Sequence, residues 1–171
     1  MREKIIIEVP GKKSGPDHDR KNTIRVLRFS LGREWYCLEL NDLRGVERIP
    51  PVTRVPNMPK SIIGVINLRG EIISLIDIRR FLGQRERPEL SDRSMAILTD
   101  IAGGLMAILA DGIKAAVDIE SSSVLPPVSA IVGSETEYNR GEIRFGEEIA
   151  VLLDLEKILN CRELRELTEF E

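Results

Sequence analysis

The feature that most constrains this 171-residue chain is an internal repeat. Gly64–Leu82 reads GVINLRGEIISLIDIRRFL, and 77 residues later Gly141–Leu159 reads GEIRFGEEIAVLLDLEKIL. The two align without a gap and are identical at Gly64/Gly141, Ile66/Ile143, Glu71/Glu148, Ile72/Ile149, Leu75/Leu152, Asp77/Asp154 and Leu82/Leu159. Self-similarity at a fixed offset marks one supersecondary unit used twice. Each copy predicts a strand, a tight turn, a second strand and a short helix. Asp77 or Asp154 opens that helix, because a carboxylate there accepts from the free amides of the first turn. Gly83 closes the first of them.

The flanking segments extend the repeat. Ile24–Leu31 and Trp35–Leu40 predict a hairpin around Gly32–Glu34, and Met95–Ile101 and Leu105–Ala110 predict another around Ala102–Gly104. Asn41–Val46 and Asp111–Ala116 read as bends that lead to short strands, Glu47–Ile49 and Val117–Ile119. Pro50, Pro51, Pro56 and Pro59 make Pro50–Lys60 an extended crossing, since proline cannot donate to a ladder. Pro126 and Pro127 repeat it. Ser61–Asn67 and Glu71–Ile78 are apolar at nearly every position, which predicts strands buried on both faces. The last helix is expected to run through Leu159 toward Leu167, with Leu155, Ile158, Leu159 and Leu167 on one face. Gln84–Arg93 and Val128–Asn139 read as loops.

These elements predict a mainly all-β protein, two similar five-stranded small barrels with short helices, since closure removes exposed edges. Residues 1–22 form a polar lead, expected to be mobile. Residues 23–160 form the body, made of two intertwined subdomains, the first about 23–83 and the second about 94–160. Residues 161–171 form a C-terminal helix and tail.

Chemistry is conspicuous by what the sequence withholds. Net charge is −3 and aromatics are 4% of residues. A nucleic-acid partner needs a positive face, and a single strand needs stacking aromatics on it; here the aromatics are scattered. No run approaches about 18 apolar residues, and no signal peptide is legible at the N-terminus. The one histidine, His18, lies in the lead, so no histidine-based triad is expected in the folded body. Cys37 and Cys161 lack CxxC partners and are expected to be unbridged thiols of a reducing cytoplasm. No phosphate-binding glycine loop is present. Asp77 and Asp154 share one setting in both repeats, so they read as helix caps rather than an acid/base pair. The expectation is a protein that is not an enzyme, with no cofactor and no metal.

What remains is surface. The copies part company at the turn, Asn67-Leu68-Arg69-Gly70 against Arg144-Phe145-Gly146-Glu147. Gly70 permits positive φ, and Asn67 can brace its own backbone. Arg69 is left as a forked donor on a rigid turn, a residue type suited to protein interfaces.

The residues Val52-Thr53-Arg54-Val55-Pro56-Asn57-Met58-Pro59, Ile63–Gly70 and Ile72–Arg79 resemble the signature of the CheW family of chemotaxis coupling proteins. The likeness covers roughly Ile24 to Leu159. It implies SH3-like barrels sharing a hydrophobic core. It implies a non-catalytic adaptor between methyl-accepting chemoreceptors and the regulatory domain of a CheA-type histidine kinase, cytoplasmic and sited at membrane-associated receptor arrays. On that resemblance the receptor's helical tip faces Leu43, Gly45, Asn67, Arg69, Met95, Ile113 and Ala116, and the kinase lies near Gly64. The family often has Glu where Gly45 stands and Pro where Ser74 stands. No receiver domain or kinase ATP motif is legible, so the likeness is to the adaptor itself. An adaptor of the same kind in pilus or gliding control is the expected alternative.

Overall fold

A computed structural model describes residues 22–85, 89–101, 104–127 and 137–164. The polar lead to residue 21, the Ala102–Gly103 part of the second hairpin turn, most of the Val128–Asn139 loop and the part of the expected C-terminal helix and tail beyond residue 164 lie outside the described residues. The strands are β1 (Thr23–Leu31), β2 (Glu34–Glu39), β3 (Leu43–Arg48), β4 (Ile62–Leu68), β5 (Glu71–Ile76), β6 (Met95–Ile101), β7 (Gly104–Ala110), β8 (Gly112–Glu120), β9 (Val124–Leu125), β10 (Asn139–Phe145) and β11 (Glu148–Leu153), followed by helix α1 (Leu155–Leu159). The fold is mainly β, as the repeat predicts.

Two sheets form, in the orders β8-β1-β2-β11-β10-β9 and β3-β6-β7-β5-β4. Each sheet therefore takes strands from both halves of the chain. The repeat shows in the pairing register. β5 runs parallel to β7 with Ser74 beside Met106, and β11 runs parallel to β2 with Val151 beside Tyr36. β3 pairs with β6 at Leu43↔Thr99 and Gly45↔Leu98, skipping a residue; β8 pairs with β1 at Ile113↔Phe29 and Ala115↔Arg28, with the same skip. A shift of 70 residues relates the two pairings, since it carries Leu43 to Ile113 and Phe29 to Thr99.

Strand alternation sorts the apolar side chains into three clusters. Leu27 and Phe29 of β1, Leu38 of β2, Ile62, Ile76, Ile97, Ile108 and Leu153 meet Leu155 and Ile158 of α1 in a central core shared by the sheets. Val26, Cys37, Ile143, Ala150 and Leu152 fill the interior of the first sheet. Ile66, Ile73, Leu75, Ala96, Leu98 and Leu109 fill that of the second. Each buried Leu, Ile or Phe contributes about 1.5–3 kcal/mol relative to exposure. The central cluster is thus what joins the sheets into one body.

Four expectations are corrected. β4 and β5 are not buried on both faces: Val65 and Ser74 are half-buried and Ile72 is 62% exposed. Only Ile62 and Ile76, at the end remote from the turn, reach the central core; the hairpin tip projects beyond it. The bend expected over Asn41–Val46 is a 3-10 turn at Leu40–Asp42, and β3 begins at Leu43 because Leu43 pairs with Thr99. The bend expected over Asp111–Ala116 shrinks to Asp111, since β8 pairs with β1 from Gly112 to Glu120. Finally, the last helix is interrupted: α1 ends at Leu159, Asn160 and Cys161 leave helical geometry, and the chain is helical again over 162–164.

The helix caps are found where predicted. Asp77 accepts from the Arg79 amide at 3.1 Å, Gly83 closes that 3-10 turn in the left-handed region, and Asp154 accepts from the Lys157 amide at 3.0 Å. Gly64 and Gly141 show a further shared demand. A methyl group on Gly64 would overlap the Thr53 carbonyl oxygen of the proline crossing, and one on Gly141 would lie 2.6 Å from the Leu125 carbonyl oxygen. Each glycine admits a crossing segment against its strand.

Candidate interaction surface

The hairpin tip at Arg69 is the most distinctive exposed structure. Leu68 pairs with Glu71, so the turn has two residues, and both have positive φ, +56° at Arg69 and +92° at Gly70. This is the type I′ pattern that suits the twist of a hairpin. Gly70 adopts it freely. Arg69 does not, and a β-carbon there costs about 1–2 kcal/mol. Asn67 braces the turn, its Oδ1 accepting from the Gly70 amide at 2.9 Å. The Arg69 side chain is 80% exposed and reaches Glu47 Oε1 of β3 at 2.5 Å. That bond ties the tip to the edge strand of the second sheet.

The equivalent tip of the second copy is built differently. Gly146, with φ +65°, takes the place of Arg69, so the backbone is unstrained. Phe145 and Trp35 clasp the guanidinium of Arg28, whose Cζ lies 4.5 and 4.7 Å from their ring centres. Arg28 Nη2 and Lys114 Nζ hold Glu148 at 2.6 and 2.9 Å, and these two donors pull its carboxyl below the usual range. This tip is engaged by its own sheet. The first copy's tip presents a strained arginine to solvent.

The other residues assigned by resemblance fall into two groups. Leu43 is 4% exposed and belongs to the central core, while Met95, Ile113 and Ala116 are partly buried against that same core. They come from β3, β6 and β8, and β3 and β8 are outer strands of their sheets. Leu43 and Ile113 are counterparts across the 70-residue shift. Gly45 sits on β3 between Leu43 and Glu47, and a side chain added there would meet nothing within 4 Å. Arg69 joins this group through Glu47. Gly64 stands apart, buried beneath the Val52–Thr53 crossing.

Sequence reasoning missed Glu47, whose only cue is its place at the edge strand. It also missed a buried ion network. Arg79, with a side chain 3% exposed, pairs with Asp77 at 3.0 Å and with Asp111. Asp111 Oδ2 also accepts from the Gly32 amide at 2.6 Å. Burial pushes the Asp77 carboxyl above its usual range, with Arg79 pulling against it. Burial alone would lower Arg79, but Asp111 and Asp77 outweigh it and hold it above its ordinary value. The network fastens the end of β5 to the β7–β8 connection and the β1–β2 turn. Its sequence signal was a mismatch, since Glu156 stands where the repeat would place a second Arg79.

Among the described residues no group of three or more His, Cys, Asp or Glu could hold a metal ion, and no helix is long and apolar enough to cross a membrane. Neither Cys37 nor Cys161 forms a disulfide.

The architecture defines a class, a double-sheet β scaffold whose distinctive side chains lie on its surface. The particular family follows from comparison. The model of the CheW-like domain matches residues 25–163, and the chain belongs to that family. It is similar to the chemotaxis protein CheW of Klebsiella aerogenes, 30% identical over 138 residues that cover 81% of this chain and 82% of that one. It is also similar to protein FrzA of Myxococcus xanthus, 27% identical over 78% of this chain and 89% of that one. Among solved structures, the scaffolding protein TtCheW of Thermoanaerobacter tengcongensis superposes with a TM-score of 0.74 at 26% identity, over 88% of this chain and 96% of that one.

Proposed function

We propose that this chain is a non-catalytic adaptor of chemotaxis signalling that couples chemoreceptors to a CheA-type histidine kinase. Membership of the CheW-like family supports the scaffold role, and one observation carries the coupling role: Arg69. A residue held at φ +56° and 80% exposed works against stability and contributes no core packing. The second repeat closes the same hairpin with glycine, so the fold does not require an arginine there. A forked cation on a rigid tip suits an acidic side chain on the helical tip of a receptor, and Met95, Ile113 and Ala116 on β6 and β8 offer partly buried apolar surface. Leu43 shapes that surface from below, Gly45 leaves it open, and Asn67 holds the turn. Gly64 influences the kinase-facing side through the crossing it admits. Work of this kind places the protein in the cytoplasm beneath membrane receptor arrays.

The test is Arg69→Glu in a mixture of receptor fragment, kinase and adaptor. Loss of receptor binding with retained kinase binding is expected. Receptor-dependent kinase activation equal to that of the unaltered protein would remove Arg69 from the mechanism. The likeness to FrzA favours a second reading, an adaptor of the same kind serving pilus or gliding control. Pull-down with kinase regulatory domains of each pathway from the same cell separates the two.

A further inference from the structure

We infer that the cation–aromatic cluster of the first sheet, where Arg28, Trp35, Phe145 and Lys114 converge, is a docking surface separate from the Arg69 tip, and that it takes an acidic side chain flanked by apolar residues on a partner protein. Five strands build it: Arg28 comes from β1, Trp35 from β2, Lys114 from β8, Phe145 from β10 and Glu148 from β11. Trp35 and Phe145 pack against the interior of the first sheet and stay half-buried, so part of each ring meets solvent. Arg28 is 5% exposed beneath them, while Lys114 and Glu148 are largely open. Lys114 is the extra residue of the β8 bulge, since Ile113 pairs with Phe29 and Ala115 with Arg28. A bulge re-aims a side chain. Here it brings the ammonium to 4.9 Å from the Trp35 ring centre, while Ile113 and Ala116 on either side pack against the central core.

The other copy shows that the fold does not require this chemistry. The 70-residue shift carries Arg28 to Leu98 and Trp35 to Leu105, and the 77-residue repeat carries Phe145 to Leu68. Those three leucines pack together against the interior of the second sheet. Plain apolar filling therefore serves the same place. An arginine put there gives up hydration, and its buried Nε is left without a hydrogen-bond partner. Tryptophan and arginine are also the residue types that dominate binding at protein interfaces. The clasp and the ion pair hold them in place beforehand, so docking freezes little side-chain freedom. Charge sets the occupant. Arg28 Nη2 and Lys114 Nζ both donate to one oxygen, Glu148 Oε2, so two cations share a single carboxylate. The cluster keeps an excess positive charge and spare ammonium hydrogens, which a carboxylate from outside satisfies, while Trp35 and Phe145 offer ring surface to its apolar neighbours. Nucleic acid is the poorer occupant, because Glu148 stands inside the cluster and the chain's net charge is −3.

The test is a ¹⁵N NMR titration of the full chain with an acetylated and amidated Leu-Glu-Leu peptide, with the Leu-Gln-Leu peptide and a short oligothymidylate as parallel probes. Trp35 is the one tryptophan of the chain, so its indole N–H gives a single cross-peak inside the site. A saturable shift of that peak and of the Lys114 and Glu148 amides, with the acidic peptide alone, is expected. Lys114→Gln should weaken the peptide at least about tenfold. Arg28→Leu, which copies the residue of the other repeat, should do the same. Thermal melting checks that both variants fold, and Lys114→Gln carries the comparison if Arg28→Leu does not. Arg69→Glu should leave the Trp35 response unchanged, which keeps this surface distinguishable from the proposed receptor contact. Absence of saturation, equal response to the glutamine peptide, saturation by the oligonucleotide instead, shifts confined to Arg69 and Gly70, or undiminished binding by folded Lys114→Gln would each overturn the assignment.

Discussion

Replacing Arg69 with asparagine separates what the turn does for the fold from what it does for a partner. Asn-Gly is the preferred pair of a type I′ turn, because a short amide side chain tolerates the left-handed region. Relief of the φ +56° backbone is worth about 1 kcal/mol. Against this stands the loss of the Glu47 ion pair, which at 80% exposure of the arginine is worth about 0.2–1 kcal/mol. The net is a variant as stable as the parent or about 0.5 kcal/mol more so, a rise of roughly 1–2 °C in Tm for a chain of this size. Binding should move the other way. An arginine that anchors an interface is worth about 2 kcal/mol on truncation, or roughly 30-fold in Kd. Calorimetric melting and titration of a receptor-tip fragment measure the two on one sample. Unchanged binding by a variant that melts at or above the parent temperature would refute the assignment, and a drop of several degrees would refute the strain.

The remaining predictions concern the scaffold. Gly64→Ala and Gly141→Ala should each destabilise by about 1–3 kcal/mol in urea unfolding, because each methyl meets a carbonyl oxygen of a crossing segment; tolerance of either would mean the crossings are loose. The Asp42 carboxyl is raised above 3.8 in the folded chain, so the folded state binds the extra proton and stability falls as pH rises from 3.8 through the folded value. Asp42→Asn removes that term and should be more stable than the parent at pH 7, with the advantage vanishing below pH 3.8; equal stability across the range would deny the partial desolvation of Asp42 and its crowding by Glu39, Asp154 and Glu156. Burial pushes the Cys37 thiol up to about 12, so in the native protein Ellman's reagent should modify the half-buried Cys161 and reach Cys37 only on unfolding.

The repeat made most of the fold legible, since Asp77, Asp154, Gly83 and the two hairpins obey local rules of capping and turn chemistry. It did not show that β1 and β2 would join β11 while β3 joins β6, because strand exchange between sheets depends on pairing partners that lie 47 to 115 residues apart. The length of β8 was missed for a related reason: Lys114, Ala115 and Asp118 face solvent at a sheet edge and weaken the apolar alternation. At the surface, Arg69 was legible as the point where two copies diverge. Its backbone strain was not, since glycine next to it already accounted for a turn.

Coupling itself is tested most directly by reconstitution. Kinase autophosphorylation is measured with receptor-bearing vesicles and a CheA-type kinase from the same cell, with and without this chain. Adaptor-dependent activation that requires receptor, together with a stable complex between this chain and the isolated regulatory domain of the kinase, is the expected result. Kinase activity indifferent to the chain, with no complex at micromolar concentrations, would contradict the role.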